Sequence, residues 1–367
     1  MINLVNPVIG LKEKLLTREV LNSKLLASGK YVSQFEQSFA KYSEAKFGIA
    51  NSNGTVALHT ALLMCGVGYG DKVATTPFSF VATSNSILFC RATPIFIDID
   101  PKTFNINPDK LEIALKREKN IKAVLIVHLY GLPCNMDMIL ELKKKYGFKL
   151  IEDACQAHGA KFNNKKVGSF GDAAAFSFYA TKNMTTGEGG ITLTNNVKAN
   201  KYGRQIINHG KKLGTHSKCV ILGYNYRLTN IAAALGIAQL EQLESWIKKR
   251  IKCAEKYNNN FKNLNFLRIP YVPEKCRHVF HQYTIRVLIK ERENFIKYLL
   301  NNGIESRVYY DTVLYKEPLY KQLGYKSGLC IEAEKAANEV LSLPVHPSLS
   351  KANIDRIIEV VKGYKHT

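Results

Sequence analysis

Between about residues 45 and 245, short apolar runs alternate with amphipathic stretches, and this rhythm restricts the fold of the chain more than any other feature. The spacing predicts strands at Phe47–Ala50, Val73–Thr76, Pro94–Asp98, Ala123–His128, Lys149–Glu152, Ala173–Phe178 and Gly190–Thr194, with helices between most of them. Strands separated by helices form a mainly parallel sheet covered on both faces. Ligands of such sheets sit beyond the carboxyl ends of the strands. A long helix is expected from near Thr229, where Ile231, Leu235, Leu240, Leu243 and Ile247 recur at helical spacing.

The texture changes after Asn265. A strand-like Tyr283–Ile289 is followed by helices near Arg292–Asn301, Glu332–Val340 and Lys351–Val361. With 367 residues the chain exceeds what one core usually holds, about 250–300 residues. We therefore expect a large α/β domain over 1–250 and a smaller C-terminal α/β domain over 251–367. The first ~15–20 residues are expected to pack on the smaller domain.

Composition excludes several classes. Hydrophobic residues make up 46% and charged residues 22%, an ordinary globular balance. No apolar run reaches the ~18–20 residues that span a bilayer, and the N-terminus lacks a basic leader with an apolar block. The expectation is a cytoplasmic protein with no membrane partner. The eight cysteines are scattered, without metal-binding spacing, so no metal site is expected and free thiols are the reading. The net charge of +22 raises nucleic acid as a partner. Its lysines and arginines are dispersed in short groups such as Lys143-Lys144-Lys145 and Lys248-Lys249-Arg250. That pattern fits a solvated surface better, and no nucleic-acid partner is expected.

The chemistry concentrates in three places. Asp153 ends a predicted buried strand; Lys182 lies between an apolar run and the turning loop Thr185–Gly190; Gly54 and Thr55 open a helix after a strand. An amine that condenses with an aldehyde, an acid that keeps a pyridine nitrogen protonated, and a helix N-terminus that receives a phosphate together suit pyridoxal phosphate. A lysine held there would lose solvation, its pKa would fall, and the free amine would become available. Ser177 is a further phosphate candidate. Phe80 either lies against the cofactor ring or is a core aromatic. Gln156 and His158 are placed to touch the ring oxygen or substrate; the alternative is that Asp153 caps the next turn and His158 packs. Asn53 and its neighbours would also suit an ordinary helix cap. Gly66–Asp71 follows a helix and precedes a strand, so it reads as a turn and not as a nucleotide loop.

The blocks SNGTVAL, TPFSFVAT, PIFIDID, IEDACQAHGA, AFSFYATKNMTTGEGG and LGYNYRLTNIAAALG, followed by LSLPVHP, resemble the DegT/DnrJ/EryC1/StrS family of nucleotide-sugar aminotransferases, in order along nearly the whole chain. The resemblance implies a fold-type I pyridoxal-phosphate-dependent transferase, acting as a homodimer with active sites shared between subunits. By motif, Lys182 matches the Schiff-base lysine and Asp153 the partner of the pyridine nitrogen. Gly54, Thr55 and Ser177 match phosphate contacts, Phe80 the stacked aromatic, and Gln156 a position near the ring oxygen. Asn225 matches a residue reaching the phosphate from the other subunit. Arg227 is similar to one that meets an anionic substrate group. His158, Tyr309 and Tyr310 are further substrate candidates; the segment Arg307–Asp311 departs from the His-Tyr version of the family.

The implied reaction moves an amino group from L-glutamate, leaving 2-oxoglutarate, to a nucleotide-diphosphate keto sugar, for surface polysaccharide or glycan assembly. A 4-keto-6-deoxy hexose is the first expectation and a 3-keto sugar the second. Dehydratases of the same family carry histidine in place of the lysine, so Lys182 favours transamination over that alternative.

Overall fold

The computed structural model describes residues 1–214, 218–288 and 292–365. Helices α1 (Leu11–Ser23) and α2 (Lys30–Tyr42), neither anticipated by the strand–helix rhythm, precede β1 (Phe47–Asn51). The alternation then runs through α3 (Gly54–Met64), β2 (Lys72–Thr75), α4 (Ala82–Phe89), β3 (Thr93–Phe96) and α5 (Pro108–Arg117). It continues with β4 (Ile121–Val127), α6 (Met136–Tyr146) and β5 (Lys149–Asp153). Two short strands, β6 (Lys161–Phe162) and β7 (Lys165–Lys166), lead to β8 (Ala173–Ser177), β9 (Gly190–Thr194) and α7 (Val197–Ile206).

These strands form a seven-stranded sheet in the order β1-β9-β8-β5-β4-β2-β3. Only β9 runs against its neighbours; every other pairing is parallel. The strand period of two sends alternate residues to opposite faces. Ala123 and Leu125 join a core with Leu58, Leu62 and Ile87 on one side, while Val124 and Ile126 join Leu111 and Ile139 on the other. The predicted mainly parallel sheet between helices is therefore present, with strand ends displaced by one or two residues.

Helix α8 (Asn230–Phe261) is capped by the Thr229 hydroxyl, which accepts from the Ala232 N–H at 3.2 Å. Its Leu243, Trp246 and Ile247 pack with α2 and the sheet; its Tyr257 and Phe261 enter a second core. That second core is built on β10 (Leu267–Arg268), β12 (Tyr283–Val287) and β13 (Val340–Leu343), with α9 (Arg292–Asn301) and α12 (Lys351–Gly363). Between them in the chain lie β11 (Cys276–Arg277), α10 (Pro318–Gln322) and α11 (Ile331–Glu339).

Three expectations need correction. Val340 does not end a helix but begins β13, because pairing with Arg286 of β12 outweighs local helical spacing. The strand expected over Tyr283–Ile289 ends at Val287; Ile289 lies outside the described residues. The N-terminal residues divide between the two cores. Ile2 pairs with Ile304, and the Leu4 N–H donates to Glu305 at 2.9 Å. From Val8 onward, however, Leu16 and Val20 pack into the large core, where α1 lies along α8. Among the described residues no helix is long and apolar enough to cross a membrane.

Candidate active site

Parallel strands bring their carboxyl ends to one edge, and the predicted residues gather there. Asp153 ends β5 and Ser177 ends β8, while α3 starts just after β1. Adjacent residues on β5 point to opposite faces, so two neighbouring carboxylates separate. Glu152 turns into the core. It accepts main-chain N–H groups of Gly168, Phe170 and Gly171 at 2.7–2.8 Å and faces His128 Nε2 at 3.0 Å. Because His128 Nδ1 accepts from the Cys134 N–H, Nε2 carries the proton and donates to Glu152. Burial opposes the charge on Glu152, but those donors outweigh it and hold the carboxyl below its usual range.

Asp153 turns to the site. Its Oδ2 accepts from the Thr83 hydroxyl at 2.7 Å, and its Oδ1 from the Cys155 N–H at 3.1 Å. Ser79 lies 2.9 Å from Thr83; with the Thr83 proton directed at the carboxylate, Ser79 donates to Thr83. Lys182 follows β8 on a turn closed by its own N–H to the Tyr179 carbonyl at 2.9 Å. The side chain is half-buried. Burial lowers its pKa, and the Cys155 thiol and Asp153 carboxylate oppose that fall, so amine and acid share one electrostatic environment.

The phosphate candidates also converge. A Cβ built on Gly54 would stand 2.6 Å from Cβ of Ser177 and 3.0 Å from its hydroxyl, so only glycine allows α3 to start this close to β8. Asn53 caps the helix, accepting from the Val56 N–H at 3.0 Å. That leaves a half-exposed Thr55 and a helix N-terminus facing Ser177, a cradle fit for an anion. Phe80 is 57% exposed just ahead of α4, whereas Phe78 is the core aromatic of this segment.

Gln156 Oε1 accepts the Tyr130 N–H at 2.8 Å, and its Nε2 donates to the Tyr310 hydroxyl at 3.1 Å. Burial raises the Tyr310 pKa and keeps its proton in place. The Tyr130 hydroxyl bonds the Tyr309 carbonyl, so the tyrosine pair is tied to the sheet edge. Of the two readings of His158, contact with the ring or substrate and packing, its burial matches packing. It is fully enclosed by Phe39, Phe176 and Phe178, and neither ring nitrogen has a hydrogen-bond partner. Burial, then the nearby Lys182 charge, pushes its pKa down to about 3.

Asn225 and Arg227 lie on a segment beside α3's entry, where Asn51 bridges Arg227 and the Ser52 N–H donates to the Tyr226 carbonyl at 2.8 Å. Asn225 is exposed and bridges Asn208; Arg227 donates to the Asn208 side chain at 2.6 Å. Thr83 and Arg250 escaped the sequence reading. Thr83 sits inside a quoted motif but only the fold directs it at Asp153, and Arg250 closes a run of surface lysines.

A family model described as the DegT/DnrJ/EryC1/StrS aminotransferase family matches residues 7–362. The chain belongs to this family. Among its relatives is a pleiotropic regulatory protein of Geobacillus stearothermophilus, 41% identical over 95% of this chain and 93% of that protein. GDP-perosamine synthase of Caulobacter vibrioides is 38% identical, over 97% and 96% respectively. Among solved structures, Helicobacter pylori PseC, an aminotransferase involved in the biosynthesis of pseudoaminic acid, superposes with a TM-score of 0.93 at 30% identity, covering 98% of each chain. The chain is thus a pyridoxal-phosphate-dependent aminotransferase, and its sugar-aminotransferase relatives place it among the transaminases of sugars.

Proposed function

We propose that this DegT/DnrJ/EryC1/StrS aminotransferase moves an amino group from L-glutamate to a nucleotide-diphosphate keto sugar, with a 4-keto-6-deoxy hexose preferred over a 3-keto sugar. The observation that carries the reading is the placement of half-buried Lys182, on the turn after β8, at the same sheet edge as Asp153, whose carboxylate is fixed by the Thr83 hydroxyl and the Cys155 N–H. The names of the sugar-synthesising relatives support the substrate class. Bound pyridoxal phosphate supplies an aldehyde for the donor nitrogen and a ring that spreads carbanion charge. Asp153, oriented by the Thr83 hydroxyl, would hold the proton at the ring nitrogen. Lys182 Nζ would take the proton from the donor's α-carbon and deliver it to the carbon on the other side of the nitrogen, and the second half-reaction would reverse this order.

The α3 N-terminus with Gly54, Thr55 and Ser177 would receive the phosphate, Phe80 would stack on the ring, and Gln156 would serve the ring oxygen. Asn225 and Arg227 of a second copy complete the site in a homodimer, the former toward the phosphate and the latter toward an anionic substrate group. Tyr309 and Tyr310 border the sugar. Residues 1–250 and 251–367 form the two domains, and the enzyme works in the cytoplasm on precursors of surface polysaccharide such as lipopolysaccharide O-antigen.

The test is absorbance of the loaded protein. A band near ~410–430 nm that gives way to one near ~320–340 nm on adding L-glutamate, and returns with one keto-sugar nucleotide of a panel, is the expected result. Lys182→Ala should abolish both the visible band and turnover. Substantial activity in that variant would sink the lysine assignment.

A further inference from the structure

The run Lys248-Lys249-Arg250 reads in the sequence as a solvated helix face, and Lys248 and Lys249 are indeed exposed. Arg250 is not. It is 6% exposed, and α8 turns it into the seam between the two cores. Its Nη1 donates to the main-chain carbonyls of Phe280, His281 and Val345, while Nε is buried without a partner. No carboxylate among the described residues pairs with it. A buried guanidinium facing only neutral carbonyls is an uncompensated charge, which proteins normally pair.

Two cavities meet at this side chain. Both are lined by Val5, Thr181 and Arg250; one reaches Lys182 and Asn183, the other His281, Gln282 and Tyr309. Neither is lined by an aspartate or glutamate. Their walls hold more unsatisfied polar atoms: both side-chain amide atoms of Asn183, Nδ1 of His281, Oε1 of Gln282 and Nδ1 of His346. Native interiors satisfy nearly all buried polar groups, so a cluster of this kind beside a buried cation marks a place where a polar ligand completes the network. The missing partner must be an anion with several acceptor lone pairs. One of the two cavities is lined by both Arg250 and Lys182, so a molecule held by the guanidinium shares a space with the amine.

We propose that Arg250, with His281 and Gln282 beside it, binds the distal carboxylate of a dicarboxylic amino donor. The inference rests on the transamination reading and adds to it a residue set that selects the donor. The guanidinium takes the carboxylate through charge-assisted hydrogen bonds, the Gln282 amide turns its nitrogen inward, and His281 donates from Nδ1. The amino-bearing carbon then lies toward Lys182. A donor without a second carboxylate leaves Arg250 unpaired, and that penalty is the basis of selection.

The probe is glutarate, a dicarboxylate with neither amine nor keto group, titrated calorimetrically into the full-length, cofactor-loaded protein. Wild type should bind it, and Arg250→Gln should weaken it by about tenfold or more, the size expected for a hydrogen bond to a charged group. Binding within about tenfold of wild type in a folded Arg250→Gln protein, or no binding to wild type, overturns the proposal. Should Arg250→Gln fail to fold, Gln282→Leu decides. It removes no hydrogen bond among the described residues, and a loss of less than about threefold overturns the proposal. Failure of the transamination reading looks different: glutarate still binds in an Arg250-dependent way, but no keto-sugar nucleotide takes up nitrogen.

Discussion

At Asp153 the charge that matters is held by two donors, the Thr83 hydroxyl and the Cys155 N–H, so its loss can be graded. Asp153→Asn keeps the shape and removes the charge; turnover should fall by roughly 10²–10⁴-fold, in single-turnover kinetics with glutamate. Thr83→Val removes one donor only, and a loss of about tenfold is expected. A Thr83 variant as damaged as Asp153→Asn would mean that the hydroxyl does more than orient the carboxylate. His158 gives a prediction of another kind. Burial pushes its pKa to about 3, and those of His59 and His278 to about 4 and about 3. Below about pH 6.5 the unfolded chain protonates these imidazoles and the folded protein does not. The unfolded state then binds more protons, and stability falls with pH until the folded pKa values are reached. His158→Phe fits the aromatic box and removes one such group. Urea unfolding between pH 6 and 4 should show a slope shallower by about 1.4 kcal/mol per pH unit. An unchanged slope would contradict the buried neutral state.

The elements act through their ends. Helix α3 is useful because β1 and β8 bring its N-terminus against Ser177, and that approach depends on a missing Cβ at Gly54. Gly190 has the same role for β9, where a Cβ would meet the Asn53 carbonyl at 2.3 Å. Gly54→Ala should lower stability by about 1–3 kcal/mol in thermal melts, through overpacking. It should also weaken cofactor binding in a fluorescence titration. Adding Ser177→Gly opens the space and should restore stability but not cofactor affinity, since the hydroxyl is gone. Recovery of both would exclude Ser177 as a phosphate contact. Helix α8 shows the opposite arrangement, with its middle as the functional part. It leaves the sheet core at Ile247, presents Arg250 to the seam and enters the second core by Tyr257.

For the whole molecule, a site completed by a second copy predicts complementation. Lys182→Ala and Asn225→Ala proteins, each inactive, should regain roughly a quarter of wild-type activity when co-expressed, because half of the mixed dimers' sites are intact. No gain would place Asn225 outside the partner's site. The strands of the large sheet were legible because alternation has a short period, and Asp153, Lys182 and Gly54 because each follows a strand whose end the pattern marks. The helices α1 and α2, the strand β13 and the fates of Arg250 and His158 were not legible. Val340 follows α11 without a turn residue, and only its pairing with β12 makes it a strand. Arg250 follows two exposed lysines, and only the carbonyls of Phe280, His281 and Val345 explain its burial. The sequence by itself determined the strand–helix alternation of the large sheet and marked the candidate amine–acid pair, since both are written in local spacing. The tertiary structure decided which groups share a wall, such as Gln156 with Tyr310 and Arg250 with Gln282, because those contacts join segments far apart in the chain.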